Sequence, residues 1–464
     1  MKIKNVFGAL MTATAIVSAC NSPKQEDTSG SKKYRLITLA PGHFHAALIQ
    51  KSMYPEVDST VHVYAPEGSE LDAYNALISQ YNSREENPTS WNQVVYSGND
   101  FLQKMLEEKK GDILVLAGNN RDKTGYILQA VEAGLHVLAD KPMAIDYNSF
   151  LELEKAFDKA AEKNVLLYDI MTERYEVNTM LQMALAHSPE FFGGMVTGSA
   201  EEPAITKESV HYFFKQVSGK PLVRPAWFFD VAQQGEGIVD VTTHLVDMVQ
   251  WESFPEEVID YKKDISFVSA RRWPTVLTPQ QFQQVTKLSE VPEYLKKDLN
   301  EKGELSVYSN GEMIYTLKGI HAKISVVWNF EAPAGTGDTH YSIMRGNKAN
   351  LIIKQGAEEN YKPVLYAERT GDTDEAAFEE SLTKALQQLG SEFAGLSFTK
   401  NQSGLYKINI DPSLVTNHEQ HFSQVTEKYL SFLKEGKLPD WEVPNMLAKY
   451  YTTTKALELA KSAQ

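Results

Sequence analysis

The sequence predicts an α/β protein in two parts: an N-terminal doubly wound parallel sheet, then an α+β unit on a large, open, mainly antiparallel sheet. Three observations lead there. Between Arg35 and Ala139, short continuous apolar runs alternate with helix-patterned stretches, as expected of parallel strands buried on both faces with helices between them. Past Leu166 the apolar pattern shifts to period two, which suits antiparallel strands with one covered face. The 464 residues exceed what a single core usually holds.

In order, the first unit reads as strand Arg35 to Ala40, helix Ala46 to Tyr54, strand Thr60 to Ala65, helix Glu70 to Tyr81 and strand Val94 to Ser97. Then come a helix capped by Asp100 and reaching Glu108, strand Asp112 to Ala117, helix Lys123 to Gly134 and strand His136 to Ala139. The second unit has a helix pair near Glu173 to Ala186. Its strands are Asp264 to Ala270, Glu304 to Tyr308, Met313 to Leu317, His321 to Phe330 and His340 to Arg345. Asn310-Gly311 reads as a hairpin turn. Long helices return at Glu375 to Phe393, His418 to Glu435 and Val443 to Lys461. The expected boundaries are 34–165 and 166–464. A doubly wound sheet binds ligands beyond the carboxyl ends of its strands, so those loops are where chemistry is sought.

Residues 1–20 are expected to be a signal peptide: Lys2 and Lys4 precede an uncharged apolar stretch from Val6 to Val17, too short to span a membrane. Val17-Ser18-Ala19-Cys20 resembles a bacterial lipobox, with Cys20 as the lipid anchor; it is the single cysteine of the sequence. Residues 21–33 are polar and small, a flexible tether. The anchored protein would sit at the bacterial cell envelope, touching the membrane through that lipid only. Without other cysteines it has neither disulfide nor thiolate nucleophile. The net charge is −15, or −17 without Lys2 and Lys4. No basic stripe appears, which argues against nucleic acid as a partner.

Three stretches carry chemistry. Ala40-Pro41-Gly42-His43-Phe44-His45 stands where a G-x-G-x-x-G phosphate turn belongs and keeps only Gly42. It is either a cofactor turn or a plain strand–helix loop. No acidic residue ends the second strand; Glu67 or Glu70 would have to hold a ribose. Asp140-Lys141-Pro142 closes the fifth strand, with Lys141 either aimed into the crevice or solvated. Gly235 to Asp247 places Asp240 and His244 four apart. On a helix they would share a face, giving either an oriented general base or a cap with a packed histidine. His418 and His421 lie three apart without a carboxylate–histidine spacing to complete a set, so no metal is expected.

The order strand–glycine turn–helix, Asp-Lys-Pro, then Gly-x-Gly-x-x-Asp-x-x-x-His-x-x-Asp resembles the glucose–fructose oxidoreductase/inositol dehydrogenase/rhizopine-catabolism (Gfo/Idh/MocA) family, from about Tyr34 to the C-terminus. Ala130-Val131-Glu132-Ala133-Gly134 looks like that family's approach to its Glu-Lys-Pro element, and Arg345-Gly346-Asn347-Lys348-Ala349 like its Gly-x-x-Gly sheet turn. The resemblance implies a Rossmann-like first domain, tightly bound NAD or NADP, and oxidation of a sugar or glycoside hydroxyl. Lys141 would position that hydroxyl, Asp240 would bind substrate and orient the imidazole, and His244 would take the proton. Ala40, Gly42, His43, Phe44 and His45 would line the cofactor from one side, and Gly118, Asn119, Asp140, Lys141 and Pro142 from the other. Arg174, Trp227 and Thr243 would meet the carbohydrate. By family analogy, the open sheet face would serve a homo-oligomer.

The sequence departs from that pattern. Gly118 replaces a proline, Asp140 a glutamate, and the phosphate turn is eroded. A signal without paired arginines implies export before folding, where free nucleotide is scarce. That favours a cofactor recycled within each turnover, as in a glycosidase that oxidises its substrate transiently. It also suits a non-catalytic carbohydrate-binding lipoprotein on the same scaffold.

Overall fold

The computed structural model describes residues 33–463 apart from 218, 219 and 372. The expected signal peptide, Cys20 and the tether up to residue 32 lie outside the described residues. Among the described residues no helix is long and apolar enough to cross a membrane.

The first sheet consists of β1 (Tyr34–Leu39), β2 (Val57–Ala65), β3 (Asn92–Ser97), β4 (Ile113–Leu116), β5 (His136–Asp140) and β6 (Leu167–Ile170). All neighbours are parallel in the order β3-β2-β1-β4-β5-β6. The order reverses between β1 and β4, which opens a crevice beyond their carboxyl ends. β4 is buried at every position and β5 at all but its first, as expected where helices cover both faces. Helix Tyr147–Lys163, which the sequence reading passed over, begins in a capping box between Asp146 and Ser149.

The second sheet follows β7 (Ile205–Phe214) and a small ribbon of β8 (Gln216–Val217) and β9 (Lys220–Pro221). It continues through β10 (Ile265–Leu277), β11 (Leu305–Leu317), β12 (Ile320–Glu331), β13 (Thr339–Arg345), β14 (Ala349–Gln355), β15 (Val364–Arg369), β16 (Ser397–Lys400) and β17 (Tyr406–Asn409). Its nine strands run β10-β11-β12-β7-β13-β14-β15-β17-β16. β7 is parallel to β12 and antiparallel to β13.

Asn310-Gly311 is not a turn. It lies in the middle of β11, paired with Trp273, Arg272 and Val326, and the chain reverses instead at Lys318-Gly319, where both residues have positive φ. Asn310 is held in the sheet because its amide donates to the Trp273 carbonyl and Thr275 Oγ1 and accepts from the Trp328 N–H. Asp100 precedes helix Phe101–Glu108 without capping it; its carboxylate accepts from the Tyr96 hydroxyl instead.

The last two helices return to the first sheet. Phe422, Val425, Tyr429 and Tyr450 belong to its core, and Tyr429 donates to the carbonyls of Val137 and Leu166. The last two helices therefore pack the second unit against the first sheet.

Candidate active site

The β1 and β4 loops meet back to back at the crevice. A Cβ on Gly118 would lie 2.4 Å from the Ala40 carbonyl oxygen and 2.9 Å from the Gly42 nitrogen, so only glycine lets the loops approach. A Cβ on Gly42 would lie 2.6 Å from Glu70 Oε2 and 3.6 Å from the Asn119 nitrogen. Glu70 thus stands over the turn, anchored by a hydrogen bond from Trp227 Nε1, and burial raises its pKa. The following helix, His45–Leu48, is a single turn that continues as a 3-10 turn to Lys51. Two N–H groups of the turn are already used, that of Gly42 by Ala40 and that of His43 by Ala117. The β4 loop is fixed to the second unit by Asn119 Nδ2 to Gln233 Oε1 at 2.7 Å and Asn120 Nδ2 to the Gln234 carbonyl at 2.8 Å.

Asp140 ends β5 beneath this turn. Its Oδ2 lies 2.9 Å from His45 Nδ1 and 3.8 Å from His43 Nδ1. Burial pushes the carboxyl up, but His45 and Lys123 outweigh it and hold it well below the usual range. Lys123 reaches the Asp140 carbonyl at 2.9 Å, its own pKa lowered to about 8 by burial.

The next residue, Lys141, crosses the crevice to Asp240 Oδ1 at 2.9 Å, with both side chains nearly buried. Burial opposes the ammonium, yet Asp240 raises its pKa overall, so Lys141 is charged. The other Asp240 oxygen accepts from Gln234 Nε2 at 3.0 Å. Asp240 is therefore neither a helix cap nor an imidazole-orienting group: helix Thr242–Ser253 starts two residues later, and its carboxylate is engaged by Lys141 and Gln234. His244 has a buried Nδ1 without a hydrogen-bond partner. Burial and the Lys141 charge keep the imidazole well below its ordinary pKa, hence neutral. An unsatisfied buried nitrogen costs about 1–3 kcal/mol, a cost that a ligand hydroxyl would remove.

Two glycines seat this segment. A Cβ on Gly237 would lie 1.7 Å from the Ser309 carbonyl oxygen, and one on Gly311 would lie 2.5 Å from Ile238 Cβ. The Gly237 N–H donates to the Tyr308 carbonyl at 3.0 Å. Backbone thus rests on backbone just before Asp240.

Two of the expected substrate contacts are corrected. Arg174 grips Asp247 with two 2.7 Å bonds and Glu442 at 3.1 Å, so its guanidinium is spent inside the protein. Thr243 is fully buried and donates to the Val239 carbonyl. Trp227 stands beside the cofactor turn through Glu70. The sequence reading missed Gln234 and the buried Lys449, which bridges Asp169 and Asp247 at 2.7 Å each; nothing local marks a lysine deep in a long helix. Glu173, on the turn after β6, feels the Lys141 charge, and its pKa is raised to about 7 by burial and by Glu176.

A switch-point crevice with glycines at its throat, next to a charged lysine and a neutral histidine, defines a dinucleotide-dependent oxidoreductase. Residues 57–169 match the family described as "Oxidoreductase family, NAD-binding Rossmann fold", and residues 181–461 match "Putative oxidoreductase C terminal domain". The chain belongs to the Gfo/Idh/MocA oxidoreductase family and is of NAD-binding type. A crystal structure of a "putative oxidoreductase" from Parabacteroides merdae is 54% identical over 93% of this chain and 98% of that one, with a TM-score of 0.91. A levoglucosan dehydrogenase in complex with NADH and levoglucosan shares the fold at 12% identity (93% of this chain, 98% of that one, TM-score 0.59). So does a biliverdin reductase from Synechocystis with biliverdin and NADP+, at 12% identity (92% and 99%, TM-score 0.54). No curated protein matches the sequence.

Proposed function

We propose that the protein oxidises a hydroxyl of a sugar or glycoside at the bacterial envelope, with Lys141, Asp240 and His244 as the acting groups. The observation that carries this reading is the neutral His244, its buried nitrogen unpartnered, beside the charged Lys141–Asp240 pair. Lys141 donates to the substrate oxygen and stabilises negative charge developing there. Asp240, fixed by Lys141 and Gln234, holds the lysine in place and accepts from a neighbouring hydroxyl. His244 takes the hydroxyl proton as the C–H bond breaks.

The residues fit a nicotinamide dinucleotide. Gly42 and Gly118 leave room for close approach, and Asn119, Asp140 and Pro142 border the same crevice. Ala40, His43, Phe44 and His45 form the turn beneath. Bound there, NAD(P) supplies the hydride acceptor. Glu70 suits ribose hydroxyls and opposes a 2′-phosphate, so NAD is the expected nucleotide, tightly held because the exported chain must retain it. Mass spectrometry of the denatured protein should release NAD. No released nucleotide together with no binding on titration would sink the redox reading. Membrane attachment is assigned to a lipid on Cys20: Cys20→Ala should shift the protein to the soluble fraction, and unchanged attachment would remove that role.

Glu173 favours a second reading, hydrolysis of a glycoside through transient oxidation with recycled NAD. Once a ring hydroxyl is a ketone, a base removes the adjacent C–H proton, the aglycone departs, water adds, and the hydride returns. A carboxyl with pKa about 7 is ionised, and so basic, above that pH. Aglycone release should rise through about pH 7 and lose that inflection in Glu173→Gln, with keto-sugar formation retained. A pH profile identical in the variant rules Glu173 out as that base.

A further inference from the structure

We propose that His43, His45 and Asp140, joined by His418, form a binding site for a divalent transition-metal cation of the zinc class. One ligand atom from each of the first three converges, all within 4.8 Å of one another. Ligands at about 2.0–2.2 Å from a common ion lie roughly 3–3.5 Å apart in a tetrahedron. Asp140 Oδ2 lies 2.9 Å from His45 Nδ1, in a hydrogen bond that an ion would replace, and 3.8 Å from His43 Nδ1.

The backbone explains why two histidines two residues apart converge. Ala40 enters the turn with φ +45°, and Phe44 is already helical where His45 begins the single-turn helix. The chain is neither strand nor regular helix from Pro41 to His43, and the two imidazoles meet edge to face at 4.0 Å between centroids. From the opposite wall, helix His418–Glu435 presents its first residue. The His418 ring is 5.4 Å from that of His45 and is exposed, free to turn toward an ion.

The donor set decides the ion. Two or three imidazole nitrogens with one carboxylate oxygen suit zinc, nickel, cobalt or ferrous iron, whereas calcium and magnesium prefer all-oxygen cages. Of the nearby ammonium groups, Lys141 is paired with Asp240, and Lys123 is turned to Asn120 Oδ1 and the Asp140 carbonyl.

Chelator-treated full-length protein titrated with zinc, cobalt, magnesium or calcium alone tests this without reference to turnover. The expected result is one zinc or cobalt per chain, the visible spectrum of nitrogen-ligated cobalt, and no comparable uptake of magnesium or calcium. His43→Ala, whose histidine has the looser contact with Asp140, should weaken binding more than the roughly 10–100-fold typical of an outer-sphere change. His418→Ala should weaken it and alter the cobalt spectrum. His421→Ala is the control: it bonds Thr416 Oγ1 and should leave binding unchanged. No uptake by the wild type, or uptake indifferent to His43→Ala, overturns the site; indifference to His418→Ala overturns that residue's membership. Failure here leaves the redox reading intact, because nucleotide release is measured separately.

Discussion

His244→Ala is expected to lower kcat for sugar oxidation by roughly 100- to 10,000-fold, the usual worth of a positioned general base, while leaving thermal stability close to that of the parent. The two halves of that expectation have separate causes. The imidazole's buried Nδ1 has no hydrogen-bond partner, so truncation gives up no bond there, and alanine suits the helix interior. The proton acceptor proposed beside Lys141 nevertheless disappears. Kinetics with the substrate, paired with a thermal melt, check both parts. Undiminished turnover would place the base elsewhere, and a large fall in melting temperature would make the histidine structural.

Lys449→Ala is expected to destabilise the fold by about 3–5 kcal/mol, as when one partner of a buried ion pair is lost. The ammonium is fully buried between Asp169 on β6 and Asp247 on the His244 helix, and Asp247 also holds Arg174. Without Lys449, Asp169 keeps the Tyr450 hydroxyl and Asp247 keeps Arg174, but each has lost a cation in a dry environment. Urea unfolding measures the effect. Adding Asp247→Asn to Lys449→Ala should recover part of the loss, since the two changes act on one contact; simple additivity would show that the pair is not coupled.

Much of the first domain was legible because parallel strands buried on both faces leave unbroken apolar runs. β4 and β5 sit within a residue or two of where the sequence places them. Lys141, Asp240 and His244 were marked as candidates by a strand end for the lysine, a glycine-rich entry for the other two, and an order along the chain that resembles the family's motifs. Their partners were not. That Asp240 turns to Lys141 instead of His244 depends on how two domains dock, across 99 residues of sequence. Asn310-Gly311 misled because local turn chemistry is identical whether the chain reverses or stays in the sheet; only side-chain bonds to the neighbouring strands decide. Arg174 and Thr243 were misplaced for a related reason. Exposure is a property of the assembled fold, and both point into packed protein.

The contacts of Gly237 with Ser309 and of Gly311 with Ile238 seat the segment leading to Asp240 on its own sheet. Lys141 belongs to one sheet and Asp240 rests on the other, so neither domain alone possesses the pair. On the Asp240 side, main chain rests on main chain, and the flexible part of the pair is the Lys141 side chain. A methyl group at either glycine acts as a shim that shifts Asp240 relative to Lys141. The ion pair thereby becomes a gauge of docking fidelity: a molecule with both halves folded but imperfectly seated would look native by secondary structure and lack it.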